Sequence, residues 1–215
     1  MLCMATPRSA RPPTEAPAPA PLGRPRAFDP DEALDRALRL FWDQGYEGTT
    51  MADLTAAMGI NKPSLYAAFG NKEDLFRKAV KRYIEGPAAF IGAALEAPTA
   101  RQVVERYLLG AAEGLTCPDH PRGCLVVQGA LACASSSDPI RKELAERRKS
   151  TEKALRKRFD RARAEGDLRE DADPADLARY VTTVHQGMAV QASGGARRKD
   201  LLRVAQVVLD GWPSR

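Results

Sequence analysis

Between Thr50 and Phe76 the chain carries helix-start and helix-stop signals so close together that no helix there can run beyond a few turns, and this constrains the fold more than any other feature. Thr50-Met51-Ala52-Asp53 reads as a capping box, in which the residues at either end satisfy each other's exposed N–H groups, and Gly59 stops the helix so begun. Asn61 can cap the next helix, which Gly70-Asn71 breaks before Lys72-Glu73-Asp74 opens another. Ahead of these lies a strong start at Asp29-Pro30-Asp31-Glu32, followed by Leu34, Ala37, Leu38 and Phe41 at helical spacing, Trp42 beside them, and Gly45 as a cap. A helix, a glycine-containing turn and a second short helix match the geometry of a helix-turn-helix, whose second helix enters the major groove of DNA. Gly59, between Met58 and Ile60, permits the sharp reversal that the turn needs. In the following helix Leu65, Ala68 and Phe69 face inward. Lys62, Pro63, Ser64, Tyr66 and Ala67 are left outward, a mixture of donors, a flat aromatic and methyl groups suited to base edges and phosphates.

The rest of the chain argues for helix as well. In 215 residues only 6% are aromatic, β-branched residues are sparse, and Ala, Leu, Glu, Arg and Lys dominate, which favours an all-α protein of one domain or two small ones. Its apolar stretches fall short of the roughly 18 to 20 residues that cross a bilayer, so no membrane partner is expected. Residues 1–22 read as a Pro/Ala-rich coil without a signal-peptide core, and the four cysteines, Cys3, Cys117, Cys124 and Cys133, are too few to staple the fold. We therefore expect reduced thiols and a cytoplasmic protein. Net charge is +5, yet residues 24–85 carry ten basic and ten acidic side chains, so basicity alone does not mark a DNA-binding face.

Beyond residue 86 the helices lengthen. Val103, Tyr107, Leu108, Ala111 and Leu115 form one stripe, which Cys117-Pro118-Asp119-His120-Pro121-Arg122-Gly123 interrupts. Residues 124–134 are small and apolar and read as a buried helix, and Asp138-Pro139 opens a very polar segment to Gly166, a solvated face. Asp173-Pro174 starts a helix with Leu177, Val181, Val184 and Met188 at 4-3-4 spacing, and Gly194-Gly195 precedes a last stripe of Leu201, Val204, Ala205, Val208 and Trp212.

The residues Gly23-Arg24-Pro25-Arg26, Ala33, Leu40-Phe41, Gly45-Tyr46, Thr49-Thr50, Ala52-Asp53-Leu54, Gly59, Leu65-Tyr66, Phe69, Asn71-Lys72 and Leu75-Phe76 together resemble the TetR family of bacterial transcriptional regulators. The resemblance is specific over residues 23–84 and architectural beyond. It implies an N-terminal three-helix helix-turn-helix DNA-binding domain (23–70), a connecting helix (71–85), and a helical ligand-binding and dimerisation domain (86–215). Carried over by position, Tyr66 contacts a backbone phosphate, Thr50 helps to hold the strand, and Lys72 brings charge near another phosphate. Asn61, Lys62, Pro63, Ser64 and Ala67 belong to the same face. Ala67 and Ala68 stand where such proteins often carry tyrosine or histidine, so readout there is methyl contact with thymine. Arg24 and Arg26, on a Pro-flanked arm, are placed to reach the minor groove or to be an idle tail.

Cys117, His120 and Cys124 give a C-x2-H-x3-C spacing, with Cys133 further on, but a structural zinc site usually shows two tight ligand pairs. We assign no metal and no cofactor. The cysteines read first as ordinary buried or loop thiols. The sharper alternative is that Cys124, which follows Pro121-Arg122-Gly123 at a helix start, has its pKa lowered by the dipole and Arg122 and serves as a redox or electrophile sensor. The Pro-x-Gly-Cys-Leu element also resembles a subgroup of the family that includes a copper-responsive repressor. Tyr107 and His185 are candidate polar lining for a ligand cavity, His185 otherwise being a satisfied interior histidine. The expected function is a non-enzymatic repressor, a homodimer paired through its last two helices, released from a near-palindromic double-stranded operator by a small ligand, metal or thiol-reactive signal. The alternative from another class is an enzyme with Cys124 as nucleophile, His120 as base and Asp119 as orienter.

Overall fold

The computed structural model describes residues 28–129 and 138–214. Among them run α1 (Pro30–Gly48), α2 (Met51–Met58), α3 (Lys62–Phe69), α4 (Lys72–Glu85), α5 (Phe90–Leu95), α6 (Ala100–Gly114), α7 (Leu125–Gln128), α8 (Asp138–Ala164), α9 (Pro174–Ser193) and α10 (Arg198–Asp210). Strand pairing among the described residues is confined to one isolated bridge, Leu168 to Ser214, so the fold is all-α. Arg24, Arg26, Cys3, Cys133 and the Pro/Ala-rich start lie outside the described residues.

Local chemistry sets the boundaries of the first four helices. The Asp29 carboxylate accepts from the Asp31 N–H at 2.8 Å with Pro30 in the first turn, and Gly45 breaks helical geometry at φ 72°. Thr50 and Asp53 form the capping box that opens α2, and Asn71 and Asp74 form a second one that opens α4. The Asn61 side chain accepts from the Ser64 N–H at 2.9 Å and opens α3. Between α2 and α3 Gly59 sits at φ 68°, ψ 29°, a left-handed conformation that turns the chain through the helix-turn-helix corner.

The four helices share a core centred on α1. Phe41 meets Phe76 edge-on with ring centroids 5.0 Å apart, Trp42 meets Tyr83 edge-on at 4.7 Å, and Leu54, Leu65 and Leu75 are fully buried around them. Arg82 of α4 grips Asp35 through two N–H groups at 2.9 and 3.0 Å and reaches Asp31 at 3.0 Å. These ion pairs are half-exposed, so the aromatic packing supplies most of the stability of the contact.

In the remainder α8 packs along α9, α6 contacts α5, α9 and α10, and the single short turn α7 is wedged among α1, α8 and α9. Of the buried helix read over 124–134, only that turn is described; residues 130–137 lie outside the described residues. The inward stripe of α10 is Leu201, Ala205 and Val208, with Trp212 beyond its end, whereas Val204 is turned outward, a correction to the expected stripe. Spacing of 4-3-4 closes the seam without it. Val204, Leu202 and Val207 (70% exposed) on α10, with Tyr180 and Val190 on α9, are large apolar side chains that the last two helices leave exposed.

Gly59→Ala tests the corner. A Cβ at positive φ costs roughly 1–2 kcal/mol, so the unfolding free energy from urea titration should fall by that amount and the midpoint move to lower urea. An unchanged midpoint would mean that the turn relaxes freely.

Candidate nucleic-acid interface and internal cavity

The outer side of α3 has the composition that the sequence suggests. Asn61, Lys62, Pro63, Tyr66 and Ala67 are exposed and Ser64 is half-buried, while Leu65 and Phe69 anchor the helix from beneath. Tyr66 is 45% exposed, a large share for an aromatic, and the Lys62 ammonium lies 5.9 Å from its ring centroid. The two side chains thus present a cation and an aromatic plane on the same turn. Lys72, at the first turn of α4, holds its ammonium 4.3 Å above the ring of Tyr46, next to the N–H groups of that helix start.

Thr50 performs the capping task that the sequence suggests, and this competes with its expected contact to the DNA strand. Its hydroxyl donates to Asp53 Oδ2 at 2.6 Å and its backbone N–H to the same oxygen at 2.9 Å. These bonds, side chain first, hold the Asp53 carboxyl below the ordinary carboxylate range. Both donors of Thr50 are committed, so a phosphate contact through Thr50 has to displace Asp53.

A cavity of about 350 Å3 lies on the body side of α4, bounded by that helix, α5, α6, α7, α8 and α9. Its apolar wall includes Ile84, Ala88, Ile91, Val126 and Val127. Its polar wall includes Tyr83, Tyr107, Cys124, Arg147, Arg148, Thr182 and His185. Tyr107 and His185 were expected here, and they meet edge-on at 5.2 Å. Burial pushes the His185 pKa down to about 4, so the imidazole is neutral at pH 7. Tyr107 is held firmly protonated, by burial first and by the neighbouring Cys124 second.

Cys124 has the surroundings of an ordinary buried thiol and not those of the sensor alternative. It is buried, and burial raises its pKa above that of an ordinary thiol despite a hydrogen bond with Tyr83 and the N–H groups at the start of α7. Arg122 gives no help: its guanidinium donates to the carbonyls of Ala192 (3.0 Å) and Ala196 instead. Cys117 points to Asp119, Sγ to Oδ2 3.7 Å, and His120 stacks on Trp42 with centroids 4.3 Å apart. Cys117, His120 and Cys124 therefore do not converge on a common point, and the enzyme alternative loses its base as well as its activated nucleophile. Among the described residues no group of three or more His, Cys, Asp or Glu is arranged to hold a metal ion.

Several residues escaped the sequence reading. Trp42 Nε1 donates to the Gly123 carbonyl at 3.1 Å and Arg39 donates to the Asp119 carbonyl at 2.6 Å, so α1 is bonded directly to the loop that ends at Cys124. Arg147, Arg148 and Thr151 of α8 line the cavity although the segment reads as a solvated face. A signal was present: Ile140, Leu144, Leu155 and Phe159 make an inward stripe whose missing middle turn falls on those residues.

His185 yields a pH prediction. Its folded pKa lies below the ordinary 6.5, so its contribution is complete above that value and is lost as pH falls from 6.5 toward 4, by at most about 3 kcal/mol. Urea unfolding across that window should show the loss, and His185→Leu should flatten it; an equally steep loss in the variant would assign the acid sensitivity elsewhere.

Residues 33–79 match the model of bacterial regulatory proteins of the tetR family, and residues 101–206 match that of the tetracyclin repressor-like C-terminal domain. The HTH-type transcriptional repressor ComR of Escherichia coli is 36% identical over 193 residues, 89% of this chain and 92% of the relative. The uncharacterized HTH-type regulator YezE of Bacillus subtilis is 32% identical, over 88% of this chain and all of the relative. Among solved structures, a cysteine mutant of the TetR family regulator CifR, complexed with 26-bp double-strand operator DNA, is 43% identical with a TM-score of 0.85, covering 89% of this chain and 100% of that one.

Proposed function

The chain belongs to the TetR family of bacterial regulatory proteins, and from that premise we infer that it is a DNA-binding transcriptional repressor, released from a near-palindromic operator when a small molecule fills the cavity. The observation that carries this reading is the exposed side of α3, where Lys62, Tyr66 and Ala67 stand clear of a helix that is buried only through Leu65 and Phe69. Lys62, Pro63, Ser64 and Ala67 approach base edges; Tyr66, with Lys72 and the start of α4, meets phosphates. Asn61 and Thr50 shape the helix starts, and the arm with Arg24 and Arg26 reaches the adjacent minor groove. The operator complex of CifR, 43% identical, supports this assignment.

The apolar outer face of α9 and α10 pairs with its own copy across a twofold axis, which makes a homodimer and presents α3 twice. Residues 23–70 form the DNA-binding head, 71–85 the connecting helix and 86–215 the ligand-binding and dimerisation body, acting on DNA in the cytoplasm. Among the described residues no helix is long and apolar enough to cross a membrane. A filled cavity favours a state in which Tyr83 and the loop 117–123 shift, carrying α1 and α4 with them, and the two recognition helices no longer fit successive major grooves. A small ligand is preferred here over a metal or thiol-reactive signal because Cys124 is a buried, protonated thiol and no metal-ligand cluster stands among the described residues.

Operator fragments selected from genomic DNA with purified protein provide the test, read by fluorescence anisotropy. Lys62→Ala should cost about 1–3 kcal/mol if it reads a base, or reduce the salt slope by about one if it meets a phosphate. Tyr66→Ala should weaken binding uniformly across sequences. Unchanged affinity in both variants would remove α3 from the interface.

A further inference from the structure

The wall of the cavity says more about its occupant than its volume does. Of the described lining residues two are arginines, Arg147 and Arg148, and none is acidic. The Tyr107 hydroxyl, on a fully buried side chain, has no hydrogen-bond partner among the described residues, and neither has the buried Nε of Arg147. Arg148 spends one N–H on a neutral acceptor, the Val126 carbonyl at 2.8 Å, and Arg147 gives one to Glu143, which also receives Arg77 at 2.9 Å. His185 is neutral and adds no negative charge. Tyr107 and the two arginines, each side chain carrying positive charge or an unspent donor, thus line a space whose other walls are Ile84, Ala88, Ile91, Val126 and Val127.

Buried donors of this kind are costly until an acceptor reaches them, and a guanidinium pairs best with a carboxylate. We propose that the cavity binds a small hydrophobic monocarboxylic acid, its carboxylate taken by Tyr107 and the arginine pair and its hydrocarbon body lying against α4, α5 and α7. A space of about 350 Å3 falls in the size range of small-molecule sites and suits an eight-carbon fatty acid or an arylacetic acid. The inference rests on the cavity being the effector site of the repressor. It narrows that effector to an anion of one chemical class.

The experiment uses the full-length protein and four probes, octanoate, phenylacetate and their uncharged amides, titrated by calorimetry in the absence of DNA. The acids should bind with Kd below about 1 mM and the amides at least tenfold more weakly. Tyr107→Phe removes only a hydroxyl that has no partner, so its thermal midpoint should hold or rise while affinity for the acids falls by about tenfold; Arg148→Gln should show the same loss. No heat with either acid, equal binding of acids and amides, or undiminished acid binding by Tyr107→Phe each overturns the proposal. Operator release is measured separately. Acids that bind without releasing DNA leave the site standing and contradict its role as the effector switch, whereas a protein that holds its operator and binds no acid contradicts the ligand class alone.

Discussion

One side chain, Trp42 of α1, ties the two halves of the molecule together. Its indole packs edge-on against Tyr83, stacks on His120, and gives its N–H to the Gly123 carbonyl, a buried bond of 3.1 Å. A buried indole N–H must find an acceptor, so the position of the loop 117–123 is specified by α1 and not merely tolerated by it. Gly123 accepts this role at φ 86°, where any Cβ would run into Gln128. The residue after it is Cys124, at the cavity wall and hydrogen-bonded to Tyr83, which itself packs on Trp42. The orientation of α3 relative to the cavity is therefore decided within a handful of aromatic and backbone contacts.

Short helices make this arrangement consequential. Isolated helices of eight residues, the length of α2 and α3, are unstable in water, and their caps contribute about 1 kcal/mol each, so both depend on packing against α1 and α4. In the proposed function, a small rotation of α1 and α4 carries the surface assigned to DNA as a unit. The cavity has α4 as one wall, which gives a bound molecule direct purchase on that unit without any intervening chain of contacts.

How much of this was legible in the sequence follows from where the physics is local. Caps, glycine stops and 3.6-residue stripes act within a few residues, and Asp29, Thr50, Gly59, Asn61 and Asn71 stand in the structure where those rules place them. The exposed α3 surface was readable for the same reason. The junction was not, because the His120 and Gly123 partners of Trp42 are about eighty residues away and nothing in the spacing of an indole tells which carbonyl it will meet. For Cys124 burial decides between the two readings: a helix start and a neighbouring arginine argue for a thiolate, but desolvation wins and the arginine is turned toward α9. Arg147 and Arg148 were hidden by composition, since eleven basic residues between Arg141 and Arg163 look like a solvated face until the missing turn of the apolar stripe is noticed.

The central claim is that a symmetric molecule offers α3 to DNA twice, from heads whose pose the Trp42 junction sets. Hydroxyl-radical footprinting of the purified protein on a selected fragment tests it most directly. The account predicts two protected patches related by a dyad, with centres about 10 base pairs, one helical turn, or a multiple of that apart. A single uninterrupted patch without twofold symmetry would contradict it.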